Sequence, residues 1–252
     1  MTLTPKNLIA DLLLGLPDGE VLDVRIGLHW TAVVIETASE RRCGLASTLP
    51  GTHEHGGEPD IPEAGQLLGR PAAELAAYLS SEHPTRSGLG LATVNALLPR
   101  QPQRWNDQNA GDTILELGAG KRVVLIGHFP FVPQLRQELQ FLEVLELNPL
   151  QGDLPASEAP RVLPQAEVVA ITGMSLHNGT LGELLDWCSP EARVMLLGPS
   201  TPLSPVMFDY GVDLLAGSII EKIEPVLQVV SQGGNFRQVR RAGVRLVTIT
   251  AD

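Results

Sequence analysis

The sequence predicts an α/β fold with two domains, and three patterns indicate it. Residues 121–149 contain an apolar run, a polar helical stretch and a second apolar run, which is the order of a βαβ unit. The rest of the second half keeps alternating between strand-like and helix-like stretches, which favours a parallel sheet with helices on both faces. Residues 20–47 instead hold short β-rich runs separated by polar turns. Connections of that length cannot contain a crossover helix, so this part is predicted to be an antiparallel meander.

The first half is predicted to open with a helix over residues 4–15, because a threonine and a proline stand where a helix cap and first turn accept them. Its further elements are predicted as strands over 20–27, 29–37 and 42–47 and as helices over 71–81 and 88–98. The polar, proline-bearing stretch 99–111 is interpreted as the domain boundary. The predicted domains are therefore 1–105 and 106–252.

The βαβ unit opens the second half of the chain. Its first strand is predicted over 123–126, where a β-branched run suits a strand buried on both faces. The remaining elements are predicted as strands over 144–147, 166–172, 193–197 and 212–216 and as helices over 134–140, 181–188 and 221–232. Residues 113–121 superficially resemble a phosphate-binding loop. They lack its glycine–lysine spacing and precede a strand, so that interpretation is rejected.

Composition argues against several classes of protein. The 252 residues are 43% apolar and carry a formal net charge of −11, which disfavours nucleic acid or an anionic membrane as a partner. No apolar run approaches the roughly 18 residues of a transmembrane helix. The N-terminal stretch contains Asp11 and lacks a basic start, so no signal peptide is predicted. Cys43 and Cys188 are far apart and form no CxxC pair, which favours a reduced, cytoplasmic protein. Apolar strand edges are compatible with an interface between copies of the chain, so a homo-oligomer is a further expectation.

The predicted parallel sheet places polar turns where open α/β sheets bind ligands, at the carboxyl ends of the strands. Gly127 and His128 follow the first of these strands, and Glu146 comes 19 residues after Gly127, the spacing of an acid that binds ribose hydroxyls. The alternative, given equal weight, is structural: Gly127 forms a tight turn, and Glu146 is a strand-end acid in solvent. The G-x-G-x-x-G fingerprint is absent, so no pyrophosphate is expected against this backbone. Later strand ends at 172–173 and 198–201 complete a predicted crevice.

Several segments together resemble a known family: SGLGLATVNAL, GKRVVLIGHFPF, ELNPLQGDLP, ITGMSLHNGTL and LGPSTPLSPVMFDYGVDLLAGS. The chain is similar, over nearly its whole length, to a bacterial and archaeal family of unknown function labelled "putative heavy-metal chelation". The resemblance implies an α+β domain similar to the enolase N-terminal fold, followed by a Rossmann-like domain, with a site where the two meet. It also implies condensation or hydrolysis in making pterin-, flavin- or siderophore-like chelators, so the cofactor candidates are a transition metal or a pterin- or nucleotide-like ligand.

The resemblance supplies a set of candidate ligand-binding residues, matched position by position: Asn95, Gly127, Phe129, Glu146, Asn148, Thr172, Gly173, Asn178, Gly179, Thr180, Gly198, Pro199, Ser200 and Thr201. His128 is the candidate catalytic acid or base, because an imidazole exchanges protons near neutral pH. Glu36 is a second candidate base, from the other domain. Each has a structural alternative: a capping ring for His128, an exposed strand acid for Glu36, a turn pair for Asn178-Gly179, and for Asn95 a buried amide tying a helix to a loop.

The loop 50–57 carries a further candidate, a metal site. His53 and His55, with Glu54 between them, supply ligand types that suit zinc, iron or nickel. A solvated loop is the alternative, since structural sites usually have four ligands. Three functions follow: an enzyme or binding protein for a small polar molecule, a non-enzymatic metal chelator or chaperone, and an S-adenosylmethionine-dependent transferase, the last by fold analogy with methyltransferases.

Overall fold

The protein is described here from a computed structural model that covers residues 7–51 and 58–251. Its strands form a three-stranded antiparallel sheet from the first half of the chain and a seven-stranded, mostly parallel sheet from the second. The predicted α/β fold class, with the α+β part first and the parallel sheet after it, is therefore confirmed. The domain boundary after residue 105 stays a prediction, because one apolar core runs from Val33 in the small sheet to Val169 in the large one.

The small sheet pairs β1 (Glu20–Ile26), β2 (Trp30–Glu36) and β3 (Arg41–Ser47) in that order. The helices of this half are α1 (Leu8–Leu13), α2 (Ala72–Ala76) and α3 (Pro84–Leu97). Strand β2 is buried up to Glu36 because both of its faces are covered. Val33 and Ile35 pack with α3, whereas Ala32 and Val34 pack with apolar residues near the C-terminus. Gly44 permits the close approach of α3, since a Cβ there would lie 2.1 Å from the carbonyl oxygen of Ala92.

The large sheet has the strand order β10-β9-β8-β7-β4-β5-β6, and only β10 runs antiparallel to its neighbour. Its strands are β4 (Arg122–Ile126), β5 (Phe141–Glu146), β6 (Leu154–Pro155), β7 (Val168–Thr172), β8 (Arg193–Leu197), β9 (Leu214–Ile220) and β10 (Val244–Thr250). The helices of this half are α4 (Ala110–Gly118), α5 (Val132–Glu138), α6 (Ala159–Val162), α7 (Met174–His177), α8 (Leu181–Trp187), α9 (Ile223–Ser231) and α10 (Phe236–Gly243). Within the described residues, no helix has both the length and the apolarity needed to span a membrane.

The strand order creates a switch point beside β4. From β4 the chain moves outward to β5 and β6, then returns to place β7 on the opposite side of β4. The loops that leave the carboxyl ends of β4 and β7 therefore diverge to opposite sides, and open α/β sheets bind ligands in the crevice that this divergence leaves.

Candidate ligand-binding site

The turn after β4 is shaped by Gly127. Its φ of +105° lies in the region that glycine adopts readily and other residues avoid. A Cβ at this position would also lie 3.0 Å from the Cβ of Thr172, at the end of β7. Gly127 therefore satisfies a backbone requirement and lets two neighbouring strand ends come together.

A cavity of about 290 Å³ lies at the switch point. It is lined by residues that the sequence singled out, namely Gly127, His128, Phe129, Glu146, Thr172, Asn178 and Thr180. Most of the remaining wall is apolar and comes from Ile126, Leu145, Leu147, Met174, Leu184 and Trp187. All of the lining residues fall between positions 126 and 187, so this cavity belongs to the larger-sheet half. That differs from the expectation of a site shared by the two halves.

Glu146 is held by the backbone at the mouth of this cavity. Its Oε1 accepts the backbone N–H of His128 at 2.7 Å, and its Oε2 accepts the backbone N–H of Leu147 at 3.0 Å. A carboxylate has about four acceptor positions, so each oxygen keeps one for a ligand. The acid predicted from its spacing is therefore fixed in place and still able to accept hydrogen bonds.

The segment after β7 supplies polar groups engaged in local turns. The Oδ1 of Asn178 accepts hydrogen bonds from the backbone N–H of Thr180 at 3.1 Å and from its hydroxyl at 2.7 Å. Gly179 has a φ of +80° with open space around it, which fits the turn-pair interpretation. Ser175 donates its hydroxyl to the carbonyl oxygen of Thr172 at 2.7 Å. The side-chain NH₂ group of Asn178 has no partner in the described part of the chain, so it is the donor that remains for a ligand.

The ring of His128 is oriented by residues that the sequence analysis did not identify. Its Nδ1 lies 3.2 Å from Oδ2 of Asp153, whose side chain is completely buried. Arg136 donates to the other carboxylate oxygen at 2.6 Å. Asp153 lies in the ELNPLQGDLP segment, but nothing in its spacing from His128 indicates the pairing.

The charge around the cavity is negative. Glu146 and Glu183 line it, and the lining residues include no lysine or arginine. Phe129 contributes an aromatic wall and stacks on Phe131, with ring centroids 5.1 Å apart and planes within 4°.

Ser200 and Asn95 lie away from the cavity, where the small sheet meets the turn after β8. The hydroxyl oxygen of Ser200 accepts the backbone N–H of Ser47 at 2.9 Å. The Nδ2 of Asn95 donates to the carbonyl oxygens of Leu45 at 2.9 Å and Ser200 at 3.2 Å. This is the buried amide tying a helix to a loop that was considered as the alternative for Asn95.

The same meeting point holds buried polar atoms without partners among the described residues. Asn95 Oδ1 and Thr201 Oγ1 are two of them, and both residues line a void of about 30 Å³, enough for a single water. Gly173 packs here too, because a Cβ on it would lie 2.7 Å from the backbone nitrogen of Thr201.

His177 is a further buried group at this meeting point that the sequence analysis missed. Its ring is 3% exposed and lies against the backbone of Ser47, yet neither nitrogen has a partner with hydrogen-bond geometry in the described residues. Burial lowers the pKa of His177 to about 4, so the ring is neutral. It is the last residue of the four-residue helix α7, which is too short to show an apolar periodicity that would have indicated burial.

The other predicted residues are placed as follows. Glu36 is exposed at the end of β2, opposite Arg41 of β3, and Asn148 is exposed beyond β5. Gly198 has a φ of +114°, and the carbonyl oxygen of Pro199 accepts the hydroxyl of Ser218 at 2.8 Å. None of these lines the cavity.

The candidate metal residues His53 and His55 lie outside the described residues. Within 7–51 and 58–251, no three histidine, cysteine, aspartate or glutamate side chains are grouped so that they could hold a metal ion. Burial raises the pKa of the Cys43 thiol to about 12 and does the same to Cys188, so both thiols stay protonated. The described residues therefore do not fit a metal site.

Comparison with known proteins supports the resemblance seen in the sequence. A family model described as "Putative heavy-metal chelation" (DUF364) matches residues 109–248, and a second with the same description (DUF4213) matches residues 9–98. The uncharacterized protein MJ0500 of Methanocaldococcus jannaschii is 26% identical over 218 residues, which cover 83% of this chain and 82% of that protein.

Solved structures of related proteins share the fold. A DUF364-family protein of unknown function from Desulfitobacterium hafniense is 26% identical, with a TM-score of 0.83 over 97% of this chain and 98% of that one. A DUF364-family protein of unknown function from Pyrococcus horikoshii has a TM-score of 0.84 over 99% of this chain and 100% of that one, and its 21% identity supports the fold alone. The family model spans more than half of the chain, and the chain therefore belongs to the DUF364 family, described as "Putative heavy-metal chelation".

Proposed function

We propose that the protein binds a small, uncharged, hydroxyl-bearing molecule with a planar ring in the cavity at the carboxyl ends of β4 and β7. The observation that carries the proposal is the fixed carboxylate of Glu146, whose oxygens each take one backbone N–H and keep an acceptor position open. Two neighbouring hydroxyl groups on a ligand would suit these two oxygens, as in other sheets of this class that hold a ribose by a strand-end acid.

The charge of the cavity supports an uncharged ligand. Glu146 and Glu183 line it without a lysine or arginine, so a phosphate or carboxylate entering the cavity would be repelled. The nearby Arg136 is already paired with Asp153. Ser200 supplies no polar group to this cavity, because it faces Ser47 instead.

The apolar wall supports a planar ring. Phe129, Met174 and Trp187 line the cavity, and ligand sites of this kind combine apolar walls with a few polar groups that orient the ligand. A pterin-like or nucleoside-like molecule meets both requirements, with a flat ring for the wall and hydroxyls for Glu146. Condensation or hydrolysis of such a molecule is the reaction class that the resemblance in the sequence implies.

Calorimetric titration with neopterin and adenosine tests this proposal, with AMP as the phosphorylated counterpart of adenosine. We expect at least one uncharged probe to bind and AMP to bind more weakly than adenosine. The Glu146→Gln variant should weaken binding about 10-fold or more, because a hydrogen bond to a charged acceptor contributes about 1.5–3 kcal/mol. Glu143→Gln, on the same strand but away from the cavity, is the matched control. Equal binding by both variants would reject the proposed role of Glu146.

A second candidate function is metal binding, which the description of the family favours. The residues that would hold the metal are His53 and His55, with Glu54 between them. A double variant, His53→Ala with His55→Ala, should then lose zinc or nickel binding in equilibrium dialysis. Retention of the metal by that variant would remove this candidate.

A further inference from the structure

Two carboxylates hold His128 from different sides. Glu146 accepts its backbone N–H at 2.7 Å, and Asp153 faces its ring Nδ1 at 3.2 Å. Glu146 and His128 line the cavity, whereas Asp153 does not. The main chain of His128 is therefore oriented by the last residue of β5, and its ring by an acid from the β5–β6 connection.

Asp153 is in turn fixed by its own partners. Its side chain is completely buried, and a buried carboxylate requires compensating donors. Arg136 donates to Oδ1 at 2.6 Å, and the backbone N–H of Leu150 donates to Oδ2 at 2.9 Å. Arg136 also donates to the carbonyl oxygens of Gln151 and Gly152, so the loop that carries Asp153 is tied to α5.

This arrangement determines which ring nitrogen of His128 carries the proton. An ionised carboxylate only accepts hydrogen bonds, so the nitrogen that faces Asp153 must be the donor. The neutral ring then has its hydrogen on Nδ1 and its lone pair on Nε2. Nε2 has no partner among the described residues.

We propose that Asp153 is a positioning residue that fixes His128 in the Nδ1–H tautomer, so that Nε2 accepts a proton from a hydroxyl or ring N–H group of the molecule bound in the cavity. This inference rests on the proposed function, since it needs a ligand beside His128. When the proton moves, the O–H or N–H bond of the ligand breaks, its electron pair stays on the ligand, and an N–H bond forms at Nε2. The imidazolium that results is stabilised by Asp153, which keeps its negative charge, and it returns the proton in the reverse step.

The ligand class follows from this chemistry. A base of this kind activates an alcohol, a water or a ring amide for attack on an electrophilic carbon, which is the first step of a condensation or a hydrolysis.

The tautomer can be measured without a ligand, by long-range ¹H–¹⁵N correlation NMR of the histidine rings, with His128→Gln used to assign the signal. We expect the wild-type ring to be the Nδ1–H tautomer at a pH where it is neutral. In Asp153→Asn, the amide oxygen should keep the hydrogen bond from the charged Arg136, which is the stronger of its two protein donors. The NH₂ group then takes the Oδ2 position that faces the ring, and the tautomer should change to Nε2–H. Asp213→Asn removes a carboxylate that pairs with Arg193 elsewhere in the sheet and should leave the His128 signal unchanged.

A wild-type Nε2–H tautomer would overturn the inference, and so would an unchanged tautomer in a folded Asp153→Asn variant. The wild-type spectrum alone decides the first point, even if the variant does not fold. Failure of the proposed function is distinguishable, because ligand titration reports it separately: the expected tautomer without binding of any uncharged probe would reject the ligand and retain the orientation of His128.

Discussion

The backbone N–H of Ser47, at the end of β3, donates a 2.9 Å hydrogen bond to the hydroxyl oxygen of Ser200, and the two residues are 153 positions apart. Their hydroxyl groups also lie 3.1 Å from each other. Asn95 of α3 binds the carbonyl oxygen of Ser200, so three segments meet around one serine. Residues that match family motifs at this point join the small sheet to the large one, whereas those at Gly127, Glu146 and Thr172 form the cavity.

The joining role of Ser200 predicts a stability effect without a binding effect. Ser200→Ala leaves the N–H of Ser47 buried and without its acceptor, which should lower the free energy of unfolding by about 1–3 kcal/mol. Urea denaturation measures this change. Ser39→Ala, on an exposed turn, should change stability by no more than about 0.5 kcal/mol. Loss of ligand affinity in a folded Ser200→Ala protein would contradict the separation of the two sites.

His177 predicts acid sensitivity of the fold. Its pKa is lowered to about 4 by burial, whereas in the unfolded chain an imidazole titrates near pH 6.5. Between these values the unfolded chain binds more protons at this residue than the folded protein does. The contribution of His177 to the free energy of unfolding is therefore complete above about pH 6.5 and falls as the pH is lowered toward 4. The loss is about 3 kcal/mol in total.

Urea denaturation at a series of pH values checks this expectation, with His177→Leu for comparison. The difference in stability between the wild type and the variant should vary with pH between about 6.5 and 4 and be constant above that range. A difference that is the same at all of these pH values would show that His177 does not titrate as its burial requires.

Both cysteines should be unreactive in the folded protein. Burial raises the pKa of Cys43 and of Cys188 to about 12, and the thiolate is the reactive form. At pH 8 we expect alkylation by iodoacetamide to be slow for both thiols and to become fast in denaturant, as followed by intact-protein mass spectrometry. Rapid labelling of Cys43 under native conditions would contradict its burial between the small sheet and the apolar residues of β9 and α9.

Two glycines with positive φ should differ in their tolerance of alanine. Gly127→Ala would place a Cβ 3.0 Å from Thr172 in addition to the backbone strain, whereas Gly179→Ala meets no atom within 4 Å. We expect Gly179→Ala to lower the free energy of unfolding by about 1–2 kcal/mol, because alanine is strained in the left-handed conformation, and Gly127→Ala to lower it by more. Thermal denaturation compares them, and equal losses would mean that the contact of the strand ends does not constrain residue 127.

The main strands of the large sheet could be predicted because their apolar runs are short and bounded by turns. Strands β4, β5, β7 and β8 lie within a few residues of their predicted positions. Strand β6 has only two residues and contains Pro155, so no periodic pattern indicates it. Helix α4 occupies a stretch to which no element was assigned, and its start at Ala110 overlaps the predicted linker.

Only those residues of the candidate site that lie at strand ends could be predicted from the sequence. Glu146 ends β5 and Asn178 follows β7, the two strands on either side of β4, and that position is a consequence of element order. The burial of Ser200 against Ser47 depends on the packing of one sheet against the other, and local sequence carries no signal for it. The same holds for Asp153, whose pairing with His128 and Arg136 depends on the path of a loop.

The central claim, that an uncharged molecule occupies the cavity beside Glu146, is tested most directly by NMR titration of ¹⁵N-labelled protein with neopterin and adenosine. We expect saturable shifts of the backbone amides at Gly127, His128 and Leu147, which surround the cavity and the carboxylate of Glu146. These shifts should be much smaller in Glu146→Gln at the same ligand concentration, because its binding is expected to be about 10-fold weaker or more. Shifts confined to the region of Asn95 and Ser200, or no shifts with either probe, would contradict it.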